Sequence, residues 1–453
     1  MKRQVFFIST ILLLCATCGF SQSKVRKEKA IFPFPILQKK LANGLNVVTV
    51  PFNSPGIASL YIVIRAGSHE EVEAGKTGFA HFFEHMMFRG TEKYTPDMYN
   101  QVLNTLGASA NANTSSDRTM YTMTGNAIML EKMFELEGDR FQNLKYSVHD
   151  FKTEAGAVKG EYTKNAASPF SQLQEKIANT AFDKSTYKHT TMGFFTDVVD
   201  MPNQYDYSLT FFQRFYRPEY ATIIVVGDVK PETVNGYAQK YFGTWKRGNY
   251  KPVIEQEPTQ QGTRYTHIKQ ASFPPYLSLN YKGPAFSYTE KDLPALNVLC
   301  SILFGETSQL YQELVVKERK ARSLFAGAAA NRDPNLISIG ASLVDVKDMQ
   351  YVKDRIVHVL EIAKAEAVDL KKLSDTKSNY KYGFAMRMDS PDALAESLGR
   401  FTWLTGKPET INAYYALFDK LTVQDLIKVA NKYFVTNALT IGTISPDEEV
   451  GVK

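Results

Sequence analysis

Two histidines and a glutamate lie within five residues of one another, in the segment 78–88. His81, Glu84 and His85 follow the pattern H-x-x-E-H. Residues three and four apart share one face of a helix, so both imidazoles would point the same way. Two imidazoles at this spacing suit one zinc ion, and a glutamate beside them can take a proton from a water molecule. The segment therefore predicts a catalytic zinc site with Glu84 as the general base.

The residues around this trio argue against a chance placement on a solvated helix surface. Six large apolar side chains surround it: Phe79, Phe82, Phe83, Met86, Met87 and Phe88. They leave little surface for water, and unpaired polar groups are costly in apolar surroundings. A bound cation explains the three polar residues better than chance does.

A third ligand must come from another segment, because catalytic zinc takes three protein ligands and keeps a position for water. In the predicted helix after residue 147, Phe151, Glu154, Val158 and Glu161 recur at helical spacing. Ionised carboxylates on an inward face need a cation or hydrogen-bond donors. Either Glu154 or Glu161 could therefore bind the metal while the other supports it, and an ion pair with a lysine or arginine is the alternative.

The elements that must position these residues mix helices and strands without strict alternation. Strands are predicted at 45–50 and 58–64, helices at 78–88, 95–107, 127–143 and 147–165, and a hairpin at 109–114 and 119–124. Such a mixture favours an α+β fold over a doubly wound sheet.

A faint repeat suggests that the chain has two related halves. The apolar segments 220–227 and 437–442 each follow a predicted helix and lead to a proline, Pro231 and Pro446. The polar, proline-containing stretch 251–262 is predicted as a linker. The predicted organisation is a zinc-bearing domain over 30–250, this linker, and a related domain without metal over 263–453.

Composition describes an ordinary folded protein. The 453 residues exceed the usual size of one domain, and 44% are hydrophobic and 22% charged. The formal net charge of +6 is modest, and no basic cluster is interleaved with aromatic residues. No nucleic-acid partner is therefore predicted. His69, His149, His189, His267 and His358 lack ligand spacing and are expected to be surface or packed residues.

The first residues predict export. Lys2 and Arg3 precede an apolar run over 5–16 and a small-residue site, which indicates a cleavable signal peptide over 1–21 and a periplasmic or extracellular protein. The run is shorter than the roughly 20 residues of a spanning helix, so no transmembrane segment is expected in the mature chain. Cys18 has a poor context for lipid attachment. Cys300 would then remain as a buried thiol, without an internal disulfide.

The sequence resembles the zinc peptidases of the insulysin, pitrilysin and mitochondrial processing peptidase family, above all its short bacterial members. The segments that carry the resemblance are 41–45, 81–90, 111–114, 154–161 and 220–231. In that family the carboxylate at the position of Glu161 is the third ligand, and the one at Glu154 supports the site. The resemblance thus implies one zinc ion per chain on His81, His85 and Glu161.

The resemblance also implies two similar α+β halves, each a mixed sheet with packed helices, that face each other as a clamshell. Family members extend an edge strand with the substrate backbone, and residues 110–113 match that strand. Asn111 and Ala112 are therefore expected to bind substrate by strand addition. The alternative is an ordinary edge strand whose asparagines discourage aggregation.

One departure from the family concerns substrate binding. Active single-chain members carry an arginine and, seven residues on, a tyrosine, where this chain has Val315 and Arg322. In some members the active site is built from two subunits, one that binds zinc and a related one that supplies this arginine and tyrosine. The expectation is therefore a zinc metalloendopeptidase for unfolded peptides that works as the zinc subunit of a heterodimer, or as a homodimer. A non-catalytic scaffold or peptide-binding subunit of the same fold is the alternative.

Overall fold

The computed structural model describes residues 30–448 and 451–452. The expected signal peptide over 1–21 lies outside these residues. Within the part of the chain that is described, no helix combines the length and the apolar character needed to cross a lipid bilayer.

The first half builds a six-stranded mixed sheet. Its strands are β1 (Leu37–Lys40), β2 (Asn46–Pro51), β3 (Ile57–Ile64), β4 (Ser109–Ser115), β5 (Arg118–Asn126) and β6 (Ala221–Gly227). Its helices are α1 (Phe79–Met86), α2 (Pro96–Leu106), α3 (Leu130–Asn143), α4 (Val148–Ala166), α5 (Pro169–Ala181), α6 (Phe195–Asp200), α7 (Tyr205–Phe215) and α8 (Pro231–Phe242). The strand order is β1-β2-β6-β3-β5-β4, in which only β2 and β6 are parallel neighbours. Strand β4 is therefore an edge of the sheet.

The second half builds a five-stranded sheet. Its strands are β7 (Arg264–Lys269), β8 (Tyr276–Lys282), β9 (Ala321–Ala328), β10 (Leu336–Leu343) and β11 (Leu439–Ser445). Its helices are α9 (Asp292–Phe304), α10 (Gln309–Tyr311), α11 (Met349–Ala365), α12 (Leu370–Ala385), α13 (Pro391–Thr405), α14 (Thr410–Asp419) and α15 (Val423–Tyr433), with a π-helical segment at Gln312–Lys317. The order β7-β11-β8-β10-β9, with β7 parallel to β11, repeats the order and directions of β2-β6-β3-β5-β4. The inferred duplication is thereby confirmed as two α+β halves of one topology.

Local sequence signals mark several of these elements. Helix α2 begins after Thr95, whose hydroxyl oxygen accepts a hydrogen bond from the Met98 amide at 3.3 Å, and it ends at Gly107 in the left-handed region, with φ 57°. The predicted hairpin is present as β4 and β5. No helix or strand is described between residues 245 and 263, and the predicted linker lies inside that stretch. Cys300 is buried in α9 as a free thiol.

One helix of each half packs against the sheet of the other half. Helix α5 packs against β7 and β11, and α13 packs against β3 and β6. At the start of α13, the Asp392 carboxylate accepts hydrogen bonds from the hydroxyls of Ser59 at 3.0 Å and Tyr61 at 3.2 Å, both on β3. Since apolar residues of both sheets and of α13 belong to one buried cluster, the two halves share a core.

Candidate metal centre

Helix α1 is short and held by its apolar side chains. It begins after Gly78, whose φ of 92° suits glycine, and a Cβ there would lie 2.9 Å from the Met192 carbonyl oxygen. Phe79, Phe82 and Phe83 are fully buried. Because these side chains occupy the inward faces of the helix, its remaining face presents His81, Glu84 and His85 together.

Helix α4 brings the two candidate carboxylates to α1. Its start is a reciprocal cap, in which the Ser147 hydroxyl oxygen accepts from the Asp150 amide and the Asp150 carboxylate accepts from the Ser147 amide, both at 3.1 Å. Phe151 is fully buried beneath the helix, and Glu154 is 5% exposed. The Glu161 side chain is 38% exposed, so the two carboxylates differ in their access to water.

Three potential ligand atoms converge between these helices. The Glu161 Oε2 lies 3.7 Å from the His81 Nε2 and 3.4 Å from the His85 Nε2. Among the described residues, His81, His85 and Glu161 form a group whose ligand atoms all lie within 4.8 Å of one another. Glu154 is not a member of that group. Two imidazole nitrogens and one carboxylate oxygen are a donor set that catalytic zinc uses, so the residues present fit this metal.

Glu154 instead contacts the Nδ1 of His85, the ring nitrogen outside the group of potential ligand atoms. Its Oε1 lies 2.9 Å from the His85 Nδ1, and its other oxygen accepts hydrogen bonds from Arg89. The hydrogen bond with Glu154 raises the pKa of His85. Burial works against ionisation of Glu154, but the hydrogen bonds from His85 and Arg89 lower its pKa overall. Glu154 therefore holds the His85 ring with Nε2 directed at the ligand group, as the outer partner of a metal-binding histidine does.

The electrostatics of His81 favour the neutral imidazole. Burial, followed by the neighbouring His85, lowers the pKa of His81. Its Nδ1 is buried without a hydrogen-bond partner, and its Nε2 faces Glu161. Neutral imidazole is the form that binds a metal ion.

Glu84, on the same helix as the two candidate histidine ligands, contacts the edge strand β4. Its Oε2 accepts a hydrogen bond from the Thr114 Oγ1 at 2.7 Å. On the same strand, Ala112 is 7% exposed and Asn111 is exposed. No described strand pairs with the outer edge of β4.

Sequence reasoning assigned no role to three supporting residues. The hydroxyl of Thr114 contacts Glu84, and Arg89 contacts Glu154. The two carboxylate oxygens of Glu71 accept from the amides of Gly78 at 2.8 Å and Ala80 at 2.7 Å, and so cap α1. Arg89 follows His85 at the i+4 spacing and could have been found. Glu71 lies too far from the start of α1 for the usual capping patterns.

The remaining sequence candidates lie in other surroundings. Val315, in the π-helical segment, packs against the apolar core, and the Nε of Arg322 on β9 donates to the Leu343 carbonyl at 3.3 Å. His69 and His189 are buried, whereas the other three histidines outside α1 are half-buried or exposed. None of these five histidines joins a second group of three metal-ligand side chains in the described part of the chain.

Known proteins are similar to this chain in sequence and in fold. Residues 47–193 match the family model described as Insulinase (Peptidase family M16), and residues 204–380 match the model described as Peptidase M16 inactive domain. The chain is 28% identical over 454 aligned residues to the zinc protease PqqE of Helicobacter pylori. The alignment covers 98% of this chain and 99% of that protein.

Solved structures agree with these matches. A protease from Helicobacter pylori superposes with a TM-score of 0.84 at 28% identity, over 91% of this chain and all 100% of its own. The periplasmic protease PqqL from Escherichia coli superposes with a TM-score of 0.73 over 92% of this chain and 48% of its own, and its 18% identity shows the fold alone. Because the family models, the relative named a zinc protease and the fold agree, the chain belongs to the M16, or insulinase, family of peptidases.

Proposed function

We propose that this protein is a zinc-dependent metalloendopeptidase that hydrolyses unfolded peptides. The observation that carries the proposal is the convergence of the His81 Nε2, the His85 Nε2 and the Glu161 Oε2, with Glu84 on the same face of α1. A scaffold protein has no need of all four side chains in this arrangement. One zinc ion per chain would be held by the first three residues.

A zinc ion in this site would lower the pKa of a water molecule and polarise the carbonyl of the peptide to be cleaved. Glu84 would take the proton of the attacking water and return it to the leaving amine. Thr114 holds one oxygen of Glu84, so the other oxygen is available for the proton. Glu154 orients His85.

Substrate would add to the sheet as a strand beside β4. This edge has the exposed backbone that strand addition requires, and Thr114 on the same strand contacts the general base. Asn111 and Ala112 are the residues proposed to pair with the substrate backbone. Extended, unfolded segments are the substrates that such pairing accepts.

The expected arginine and tyrosine are replaced by Val315 and Arg322, so the proposal includes a second, related chain that supplies them. A homodimer is the alternative assembly. The charged and apolar leader over 1–21 supports export to the periplasm or the outside of the cell.

The Glu84→Gln variant tests the enzymatic proposal. Without a carboxylate base, turnover of a mixed peptide library should fall by about 10²- to 10⁴-fold, while zinc content stays at one ion per chain. Glu131→Gln, which changes an exposed carboxylate on α3, is the matched control and should behave as wild type. Full activity of Glu84→Gln would exclude Glu84 as the base.

The second candidate is a non-catalytic, peptide-binding subunit of the same fold. It is favoured only by the missing arginine and tyrosine. Zinc-reconstituted protein should be assayed alone and together with any related chain that co-purifies from its source. Turnover only in the mixture supports the two-chain enzyme, strong turnover alone removes the need for a partner, and no turnover in either supports the non-catalytic subunit.

A further inference from the structure

A loop of the second half contacts two segments of the first half. The loop between β9 and β10 carries Asn331, Arg332 and Asp333, and we call these three residues the clasp. The Arg332 side chain is only 17% exposed. It contacts two separate segments of the first half, and each of those segments leads to a part of the site.

The first segment is the turn of the hairpin β4–β5. Asp117 in this turn is 1% exposed. Its Oδ2 accepts hydrogen bonds from the Asn331 Nδ2 at 2.8 Å and from the Arg332 amide at 3.1 Å. Its Oδ1 accepts from the Arg332 Nε at 3.3 Å and from the Tyr187 hydroxyl at 2.7 Å. All hydrogen-bonding positions of this buried carboxylate are thus used, and two of the three residues that use them belong to the clasp.

The second segment precedes α1. Arg332 also donates to the Glu70 carboxylate, and the Asp333 Oδ2 lies 2.8 Å from the His69 Nε2. Glu70 and His69 are each 4% exposed. The next residue, Glu71, caps α1 by accepting hydrogen bonds from the amides of Gly78 and Ala80. Ala80 directly precedes His81.

The two segments also contact each other, because the His69 amide donates to the Ser116 carbonyl at 2.7 Å. A Cβ on Gly67 would lie 2.2 Å from the Ser115 carbonyl oxygen, so the backbones are closely packed at this point. Arg332 therefore binds two buried carboxylates at a junction of three chain segments. A planar guanidinium can satisfy both in a fixed direction, which a lysine ammonium cannot do.

This junction connects two elements of the candidate site, strand β4 and helix α1. Strand β4 ends at Ser115 and carries Thr114, which holds Glu84. Helix α1 carries the two histidines and is capped by the residue after Glu70. We infer that Arg332 is a positioning residue. Through Asp117 and Glu70, the second half sets strand β4, whose Thr114 donates a hydrogen bond to Glu84, against helix α1, which carries Glu84 and the two histidines. The inference rests on the proposed function only where it assigns a catalytic role to the site, since metal binding can be measured without turnover.

The test compares Arg332→Lys and Arg332→Gln with Arg355→Gln. Arg355 donates two hydrogen bonds of 2.7 Å to Glu313 within the second half, so it is a matched arginine–carboxylate pair away from the junction. Zinc affinity is measured by chelator competition, and hydrogen exchange is followed over residues 67–81 and 113–118. Arg332→Lys should weaken zinc binding about tenfold, which is the lower end of the effect seen when residues that support metal ligands are replaced. It should also speed hydrogen exchange in both segments. Arg355→Gln should match wild type in both measurements.

The inference is overturned if folded Arg332→Lys binds zinc as tightly as wild type, or if Arg355→Gln weakens binding equally. Arg332→Gln removes the guanidinium that two buried carboxylates share and should show a larger effect; if it does not fold, Arg332→Lys decides. In an active preparation, kcat should fall more than KM rises. If the wild-type protein has no peptidase activity, the proposed function fails, while the zinc and exchange measurements still test the role of Arg332.

Discussion

Two side chains of the candidate site, His85 and Glu84, each have a supporting side chain that forms a hydrogen bond with them. Glu154 holds the candidate ligand His85, and Thr114 holds the proposed base Glu84. A hydrogen bond to a charged group contributes about 1.5–3 kcal/mol, enough to keep one rotamer populated. The pairs thus restrict where the imidazole nitrogen and the carboxylate oxygen lie before substrate arrives.

Removing the Thr114 hydroxyl should affect turnover more than substrate binding. Thr114→Val keeps a β-branched side chain in β4 but leaves Glu84 without its donor, so kcat should fall about tenfold with a smaller change in KM. Thr114→Ser should restore kcat because the hydroxyl returns. Steady-state kinetics with one peptide check this, and Thr105→Val on the outside of α2 serves as the control. An unchanged kcat in Thr114→Val would show that the hydrogen bond has no catalytic role.

At the scale of elements, the site depends on where α1 begins. This helix has eight residues and no capping side chain at Gly78, so Glu71, from outside the helix, accepts the hydrogen bonds of its first amides. The Glu71 side chain is fully buried, and burial raises its pKa to about 8 against the opposing effect of the two amide donors. A buried acceptor at a helix N-terminus both satisfies the amides and fixes the direction of the helix axis.

Replacing Glu71 should loosen α1 and its ligands together. Glu71→Gln retains one acceptor oxygen but turns an amide group towards an amide donor, which should cost roughly 1–3 kcal/mol of stability and weaken zinc binding. Chemical denaturation and chelator competition measure the two effects. Thr95→Ala removes the cap of α2 and should cost about 1 kcal/mol without altering zinc binding. If both variants change zinc affinity equally, the effect reports stability and not the position of α1.

At the scale of the whole molecule, the exchange of α5 and α13 makes the halves interdependent. Leu173 on α5 is fully buried among Ile268, Tyr276 and Ile444 of the second sheet. Helix α5 follows α4 after only two residues, so its contacts with the second half also steady the helix that carries Glu161.

This exchange predicts one cooperative unfolding transition. Leu173→Ala should lower stability by about 2–5 kcal/mol, and both halves should unfold together at the lower temperature. Leu209→Ala, at a position 38% exposed, should have little effect. Calorimetry that resolves two transitions, with only one of them shifted by Leu173→Ala, would contradict a shared core.

The contact between the halves should also depend on pH through His69. Burial opposes its charge, but hydrogen bonds to Asp333 and Glu70 raise the pKa of His69 to about 9, with Arg332 acting in the opposite direction. The folded pKa lies above the ordinary value of 6.5, so the stabilisation is complete below pH 6.5 and is lost as pH rises through 9. The stability difference between wild type and His69→Gln, measured by urea denaturation, should therefore shrink over this window. A difference that is constant from pH 6 to pH 10 would show that His69 does not carry this charge.

Local signals were sufficient for several elements of the first half and for the first part of the candidate site. The helix that carries His81, Glu84 and His85, the capped start of α2 and the β4–β5 hairpin each depend on residues within a few positions of one another, and all are present. Helical and strand periods, caps and turn residues act over that distance. The faint repeat was also enough to indicate two halves, because it recurs at the same place in each sheet, at β6 and β11.

The sequence by itself determined the chemistry that is proposed for the site, because the spacing of two histidines and a glutamate allows few arrangements on a helix. The tertiary structure decided which carboxylate joins the histidines, since Glu154 and Glu161 share one stripe of α4 and only the packing of α4 on α1 separates them. It also decided the supporting contacts of Thr114 and Arg332. These contacts join residues 30 and 262 positions apart in the chain, a separation that no local pattern reaches, so only the folded arrangement brings them to the site.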